Sequence, residues 1–169
     1  QTVREDQLDV MAELGVIPSF FASHVYYWGD YHRDSVLGPQ RAARISPLRS
    51  AERRGIRFNL HNDAPVVPPD VLRLVRCAVE RRTRTGKVLG EDQRISIMRA
   101  LKAVTIDAAF AHFEEDAKGS IAAGKLADLV VLDRDPKAVD PQDLESVQVV
   151  ETIKEGATVK RAGEIVAAP

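Results

Sequence analysis

The sequence predicts an α/β fold: a portion of an α/β barrel over residues 1–117, then strands of a small β-sandwich over residues 118–169. Three observations predict it. Two apolar runs, Val16 to Ser23 and Ile56 to Asn62, end in side chains able to bind metal, His24 and Asp63, with a helical stretch between them. Parallel strands of a barrel deliver their C-terminal ends to one open face, where catalytic groups collect. Downstream, apolar residues recur at helical spacing as far as Phe113, and beyond Glu114-Glu115-Asp116 the pattern turns to period two or continuous β.

The first helix carries its own start. Thr2 and Glu5 have the spacing of a capping box; Leu8, Met11 and Ala12 mark one face, and Gly15 ends it as a left-handed cap. The strand toward His24 follows. Val25 to Ile45 then reads as a loop that holds every Tyr and Trp of the chain, with Tyr27 and Trp28 beside Arg41 and Arg44. Loops at the open end of a barrel carry specificity, so these four residues are candidates for substrate contact or for support around the site. The aromatics could equally pack the loop itself, and the arginines could bind a substrate carboxylate or pair with nearby acids.

Ser46 and Pro47 read as the cap and first position of a short helix that Gly55 closes. In the strand that follows, Ile56, Phe58 and Leu60 point one way, toward outer helices, while Arg57, Asn59, His61 and Asp63 point the other. His61 thus faces the same pocket as Asp63 and could orient that acid, be a ligand itself or be a polar filler; the orienting role is favoured, since ligating groups usually need such partners. Asp63 is the first candidate for catalysis and, with His24, for metal binding. Each has an ordinary alternative, Asp63 as a turn acid before Ala64-Pro65 and His24 as a hydrogen-bonded core residue. Their pairing on successive strand ends favours a shared metal.

After Pro68-Pro69, Val71 to Val79 trace a helical stripe expected to stop near Gly86, with Arg81, Arg82 and Arg84 as its solvated end. Ser96 caps Ile97 to Val104, and Thr105 caps a further helix through Phe113 whose end bears a surface His112. Ala127 to Leu132 is a strand, and two more, Val147 to Lys154 and Ala157 to Arg161, meet at Glu155-Gly156. So small an all-β unit is expected to pair with strands from elsewhere.

Composition narrows the function classes. With 44% apolar and 29% charged residues, the chain of 169 residues is globular rather than disordered, and expected to be water-soluble. Lys plus Arg number 24 against 25 Asp plus Glu, so no global field favours nucleic acid or an anionic membrane. No apolar stretch has the length of a membrane span. The single Cys77 permits no internal disulfide. A cytoplasmic location is expected, and the start at Gln1 rather than Met leads us to expect an upstream portion.

The run Lys118-Gly119-Ser120-Ile121-Ala122-Ala123-Gly124-Lys125-Leu126-Ala127-Asp128-Leu129-Val130-Val131-Leu132-Asp133 resembles the signature with which amidohydrolases re-enter their β-sandwich after the barrel. Leu37 to Arg44, Asn62-Asp63-Ala64-Pro65-Val66 and Phe113 to Asp116 are similar to family 3 of that superfamily, the branch of N-substituted formamide deformylase and of AepA-like and YtcJ-like hydrolases. The likeness runs over nearly the whole chain. It departs from the family at His61-Asn62, where a small residue is common, and at Arg99, where an acid is common.

The resemblance implies the C-terminal part of a TIM-type (β/α)8 barrel, with His24 matching the ligand histidine of the sixth strand and Asp63 the aspartate of the eighth. It implies that the fifth-strand histidine, the paired histidines of the first strand and a bridging residue lie upstream, and that the isolated chain is inactive. The implied cofactor is one or two divalent ions, zinc first, with iron or manganese compatible with the donors. The implied reaction is hydrolysis of a carbon–nitrogen, amide-like bond in a small molecule by metal-activated water, with Asp63 as proton shuttle. Ester hydrolysis or isomerisation would keep the fold and change the chemistry. A non-catalytic assembly or regulatory piece without metal is the contrasting expectation, and exposed strand edges invite a homo-oligomer.

Overall fold

The computed structural model describes residues 1–165 and has a mixed α/β architecture. Helix α1 spans Glu5–Leu14 and ends at Gly15 in the left-handed region. Its start lies at Arg4 rather than Thr2: the Arg4 amide donates to Gln7 Oε1 at 3.0 Å. Glu5 is drawn instead into bonds with Arg44, Arg54 and Ser50. Strand β1 is short, Ser19–Phe20, and pairs in parallel with β2, Asn59–Leu60.

The segment expected as a loop is helical. Helix α2 spans His24–Tyr31, a single π-helical turn covers His32–Val36, and α3 covers Gly38–Ala42. The aromatic run hid a helical face: Val25 and Gly29, one turn apart, are both buried. Gly29 is required by close packing, because a Cβ there would lie 2.9 Å from Thr83 Cγ2 and 3.1 Å from Leu89 Cδ2. Val25, Ala42, Ile45 and Leu89 form a small apolar cluster beneath this layer.

Helix α4, Leu48–Arg53, begins one residue later than expected, and Ser46 is buried, its hydroxyl donating to the Phe21 carbonyl at 3.3 Å. The alternation before β2 holds. Ile56, Phe58 and Leu60 lie in the main core with Leu48 and Ala51 of α4, and with Leu74, Val75 and Ala78 of α5, Val71–Glu80. Asp70 caps α5 by accepting from the Arg73 amide at 3.0 Å. Phe20 and Phe58 meet edge to face at 5.4 Å, and burying each ring contributes roughly 2–3 kcal/mol.

Arg81 overturns the expectation of a solvated helix end. It is fully buried at the left-handed end of α5. Its Nε donates to the Leu89 carbonyl at 2.8 Å, Nη1 to Ser46 at 3.1 Å and Nη2 to Ile45 at 2.8 Å. The guanidinium gathers carbonyls that neither helix nor sheet satisfies, which a residue count along the helix cannot reveal. Gly90 lies beside it with positive φ, and a Cβ there would sit 1.8 Å from the Ala43 carbonyl oxygen.

Helix α6, Ile97–Ala103, starts at the expected cap, Ser96, whose hydroxyl accepts from the Arg99 amide at 3.1 Å. Arg99 pairs with the buried Asp107 at 2.6 Å and lies over the Phe58 ring, a local ion pair that accounts for its departure from the acidic residue expected there. Helix α7, Ile106–Ala111, follows Thr105, whose hydroxyl turns back to Leu101 rather than capping forward. His112 is exposed, as expected.

The tail forms a four-stranded antiparallel sheet of β3 (Leu129–Leu132), β4 (Val149–Lys154), β5 (Ala157–Arg161) and β6 (Glu164–Ile165), in that order. Glu155 and Gly156, both with positive φ, make the expected two-residue turn between β4 and β5. A turn at Pro141–Ser146 leaves the sheet and inserts Leu144, fully buried, into the main core. No helix among the described residues is long and apolar enough to cross a membrane.

Candidate functional site

The parallel pairing of β1 with β2 sends both chains out at the same end, and the candidate residues collect there. The chain leaves β1 through Phe21, Ala22 and Ser23, all buried, and His24 opens α2. His61 and Asp63 follow β2, and Asp63 adopts positive φ before a cis Ala64–Pro65 bond, its carbonyl accepting from the Val66 amide at 2.8 Å. The strand therefore stops short of His24, which a helix rather than a strand presents.

His24 is half-buried. The Phe21 ring stands perpendicular to it with centroids 4.5 Å apart and the Trp28 ring lies at 5.0 Å, while His24 Nδ1 stands 3.4 Å from His32 Nε2. Burial, reinforced by neighbouring His32, pushes the His24 pKa down to about 4, with Asp63 pulling weakly the other way. The ring is therefore neutral at ordinary pH, as a ligand or base must be. His61 Nδ1 is tied to Ser19 Oγ at 2.8 Å across the strand pair, beside Phe21. Burial lowers its pKa as well, and Asp63 opposes. The Asp63 charge opposes burial at both imidazoles.

The other candidates divide. Trp28 joins the group through His24. Tyr27, the next residue back, turns to α5, where its hydroxyl accepts from Arg73 Nη1 at 2.9 Å. Arg44 pairs with Glu5, and Arg41 lines a separate cleft with Thr2, Val3, Arg4 and Leu37. A second cleft, about 800 Å³, lies between α7 and β3, with His112 in its lining and none of His24, His32 or His61.

His32 is the residue the sequence reading passed over. His24, Trp28 and His32 follow one another at helical-turn spacing, a signal visible only once the segment is read as helix. Its Nδ1 is buried without a hydrogen-bond partner, as is Asn62 Oδ1 beside Asp63. Among the described residues no three His, Cys, Asp or Glu side chains converge closely enough to hold a metal ion.

β1 and β2 pair directly and in parallel, whereas the sixth and eighth strands of a closed parallel barrel would be separated by the seventh.

Comparisons with known proteins show the family. A sequence model of the Amidohydrolase family matches residues 1–160. The chain is 32% identical over 146 residues to N-substituted formamide deformylase of Arthrobacter pascens, covering 86% of this chain and 27% of that protein. It therefore spans about a quarter of that relative's length. An uncharacterized metal-dependent hydrolase from Pyrococcus horikoshii OT3 superposes with a TM-score of 0.71 at 27% identity, over 83% of this chain and 29% of that one. An adenosine deaminase from Xanthomonas campestris with bound zinc shares the fold, with a TM-score of 0.66 at 18% identity over 99% of this chain and 37% of its own.

Proposed function

The chain belongs to the amidohydrolase family, and from that premise we propose that the complete protein hydrolyses a carbon–nitrogen, amide-like bond in a small molecule. Residues 1–117 form the last part of its barrel, and 118–169 supply strands of a β-sandwich. One observation supports the site: His24 and Asp63 follow adjacent parallel strands at the same end. The relative named as a formamide deformylase supports the choice of a carbon–nitrogen bond.

The donor chemistry fits a divalent cation in part. A carboxylate and a neutral imidazole suit zinc, and Asp63 and His24 would grip or flank it, the remaining donors coming from the rest of the complete protein. When bound, such an ion lowers the pKa of a water molecule and polarises the scissile carbonyl. Asp63 accepts the proton of the attacking water and returns it to the departing nitrogen. His61, fixed by Ser19, holds the Asp63 side of the pocket in place. Phe21 and Trp28 wall the His24 side with apolar surface and keep water from it.

Replacing Asp63 by Asn in the complete protein tests this. The expected result is a loss of about 10²- to 10⁴-fold in kcat on an amide substrate, the usual weight of a general acid–base group. Full turnover in D63N with its metal content intact removes Asp63 from the chemistry.

A further inference from the structure

A cleft of about 510 Å³ opens between the segment that leads into α1 and the α3 segment. Val3 and Leu37 give it apolar walls, and Arg4, Arg41 and Arg44 reach its lining. It lies at the end of the strand pair that carries the site. The Ser46 amide donates to the Gln1 carbonyl at 2.8 Å, and the Ser46 hydroxyl donates to the carbonyl of Phe21, through which the chain leaves β1. The Leu37 amide donates to the His32 carbonyl at 2.8 Å, and the His32 ring stacks on His24 with centroids 5.7 Å apart. His32 thus links a wall of the cleft to His24.

Charge around the cleft does not balance. Arg4 meets Asp6 at 2.7 Å, Arg44 meets Glu5, and Arg54 meets Glu5 and also Asp9, at 2.7 Å. Three arginines thus share three acids, while Arg41 has no ion pair or side-chain hydrogen bond among the described residues. A lone surface arginine is ordinarily just solvated. This one stands beside apolar walls on a rigid frame, because buried Arg81 holds the Ala43 and Ile45 carbonyls past the end of α3 at 3.4 and 2.8 Å. A planar guanidinium with its donors free, next to apolar surface, matches a carboxylate on an apolar stem.

We propose that this cleft receives a carboxylate-bearing, apolar arm of the substrate, and that Arg41 selects for the carboxylate. Arg44, already committed to Glu5, forms part of the wall. The proposal rests on the hydrolase reading for the reacting bond, but not for the binding of an acid.

Calorimetry on the complete protein compares 4-methylpentanoate with its neutral amide, 4-methylpentanamide. The parent is expected to bind the acid about tenfold more tightly, the weight of a charge-assisted hydrogen-bonded pair. Arg41→Gln removes that preference, and Arg41→Lys keeps part of it, since an ammonium is a point charge without the fork. Thr2→Glu, a change at an exposed position of the lining, lowers acid binding and decides the matter should R41Q fail to fold. An acid bound no better than its amide, or a preference unmoved in R41Q or in T2E, overturns the proposal. In turnover, N-formyl-leucine should exceed N-formyl-leucinamide in kcat/KM in the parent and lose that lead in R41Q, with kcat on the amide unchanged. Acid binding that R41Q abolishes, together with equal turnover of the two substrates in the parent, would make the cleft a separate site and overturn its role as a subsite. D63N turnover judges the hydrolase reading separately, because the acid is bound without reaction.

Discussion

Arg81 on one side, and His32 with Asn62 on the other, are polar groups inside the molecule that the fold treats oppositely. Arg81 is fully buried, and Leu89, Ser46, Ile45 and Ala43 offer carbonyls to its three nitrogens. Burial drags its pKa down to about 10, still well above neutrality, so it stays charged. At the other place His32 Nδ1 and Asn62 Oδ1 are buried with no partner. A buried polar group without a bond costs about 1–3 kcal/mol. The fold therefore places its hydrogen bonds where three segments must be joined and leaves open valences at His32 and at Asn62, the residue before Asp63.

The largest expected effect breaks the Arg81 side. Arg81→Met keeps much of the volume but strands the carbonyls, and removing one partner of a buried charged network costs about 3–5 kcal/mol. Urea unfolding should register that loss with an unchanged m-value. A loss under about 1 kcal/mol would mean that water replaces the guanidinium and that Arg81 is no hub. Lysine should not rescue, since it lacks the planar fork that reaches several carbonyls at once.

What the sequence could and could not disclose follows the same divide. The β4–β5 turn at Glu155-Gly156, the Ser96 cap and the alternation of Ile56, Phe58 and Leu60 were legible because each is fixed by residues a few positions apart. Arg81 was not, because its partners lie far away in the chain and a guanidinium at a helix end looks the same whether it meets solvent or carbonyls. The 24–42 segment failed for a different reason. Its aromatics mask the period, and Gly29 resembles a turn signal although it is needed for contact with Thr83. At the site, His24 and Asp63 were legible as types on apolar runs. That His24 sits on a helix, and that His32 returns to it two turns later, required the helix first.

Glu145 is intermediate, partly exposed and partly partnered, and sharpens the comparison with a smaller effect. It bonds Arg76 at 2.7 Å and Arg73 at 3.2 Å, while Arg73 Nε is left without a hydrogen bond. Burial alone would raise the Glu145 pKa, but the two arginines outweigh it and the net shift is downward. A carboxylate with a depressed folded pKa adds stability above its unfolded value of about 4.5 and loses it as pH falls through the folded value. Glu145→Gln should therefore be less stable than the parent at pH 7, by about 1 kcal/mol or less because solvent screens the pair. The two proteins should converge in melts below pH 4.5. A gap that persists in acid would assign the loss to packing beside Leu144 instead of charge.

The smallest effect is expected at Asn62, and its smallness is the point. Asn62→Leu replaces the amide by an apolar group of similar size and removes an oxygen that forms no hydrogen bond in the folded protein. Since no protein partner is stranded, stability should change by no more than about 0.5 kcal/mol, in contrast to Arg81. Turnover is another matter, because Asn62 lies between His61 and Asp63. Unchanged urea unfolding together with a raised KM would identify an open valence kept for binding. A loss of stability comparable to that of R81M would instead show that Asn62 carries hidden structural bonds, and the contrast between the two neighbourhoods would not stand.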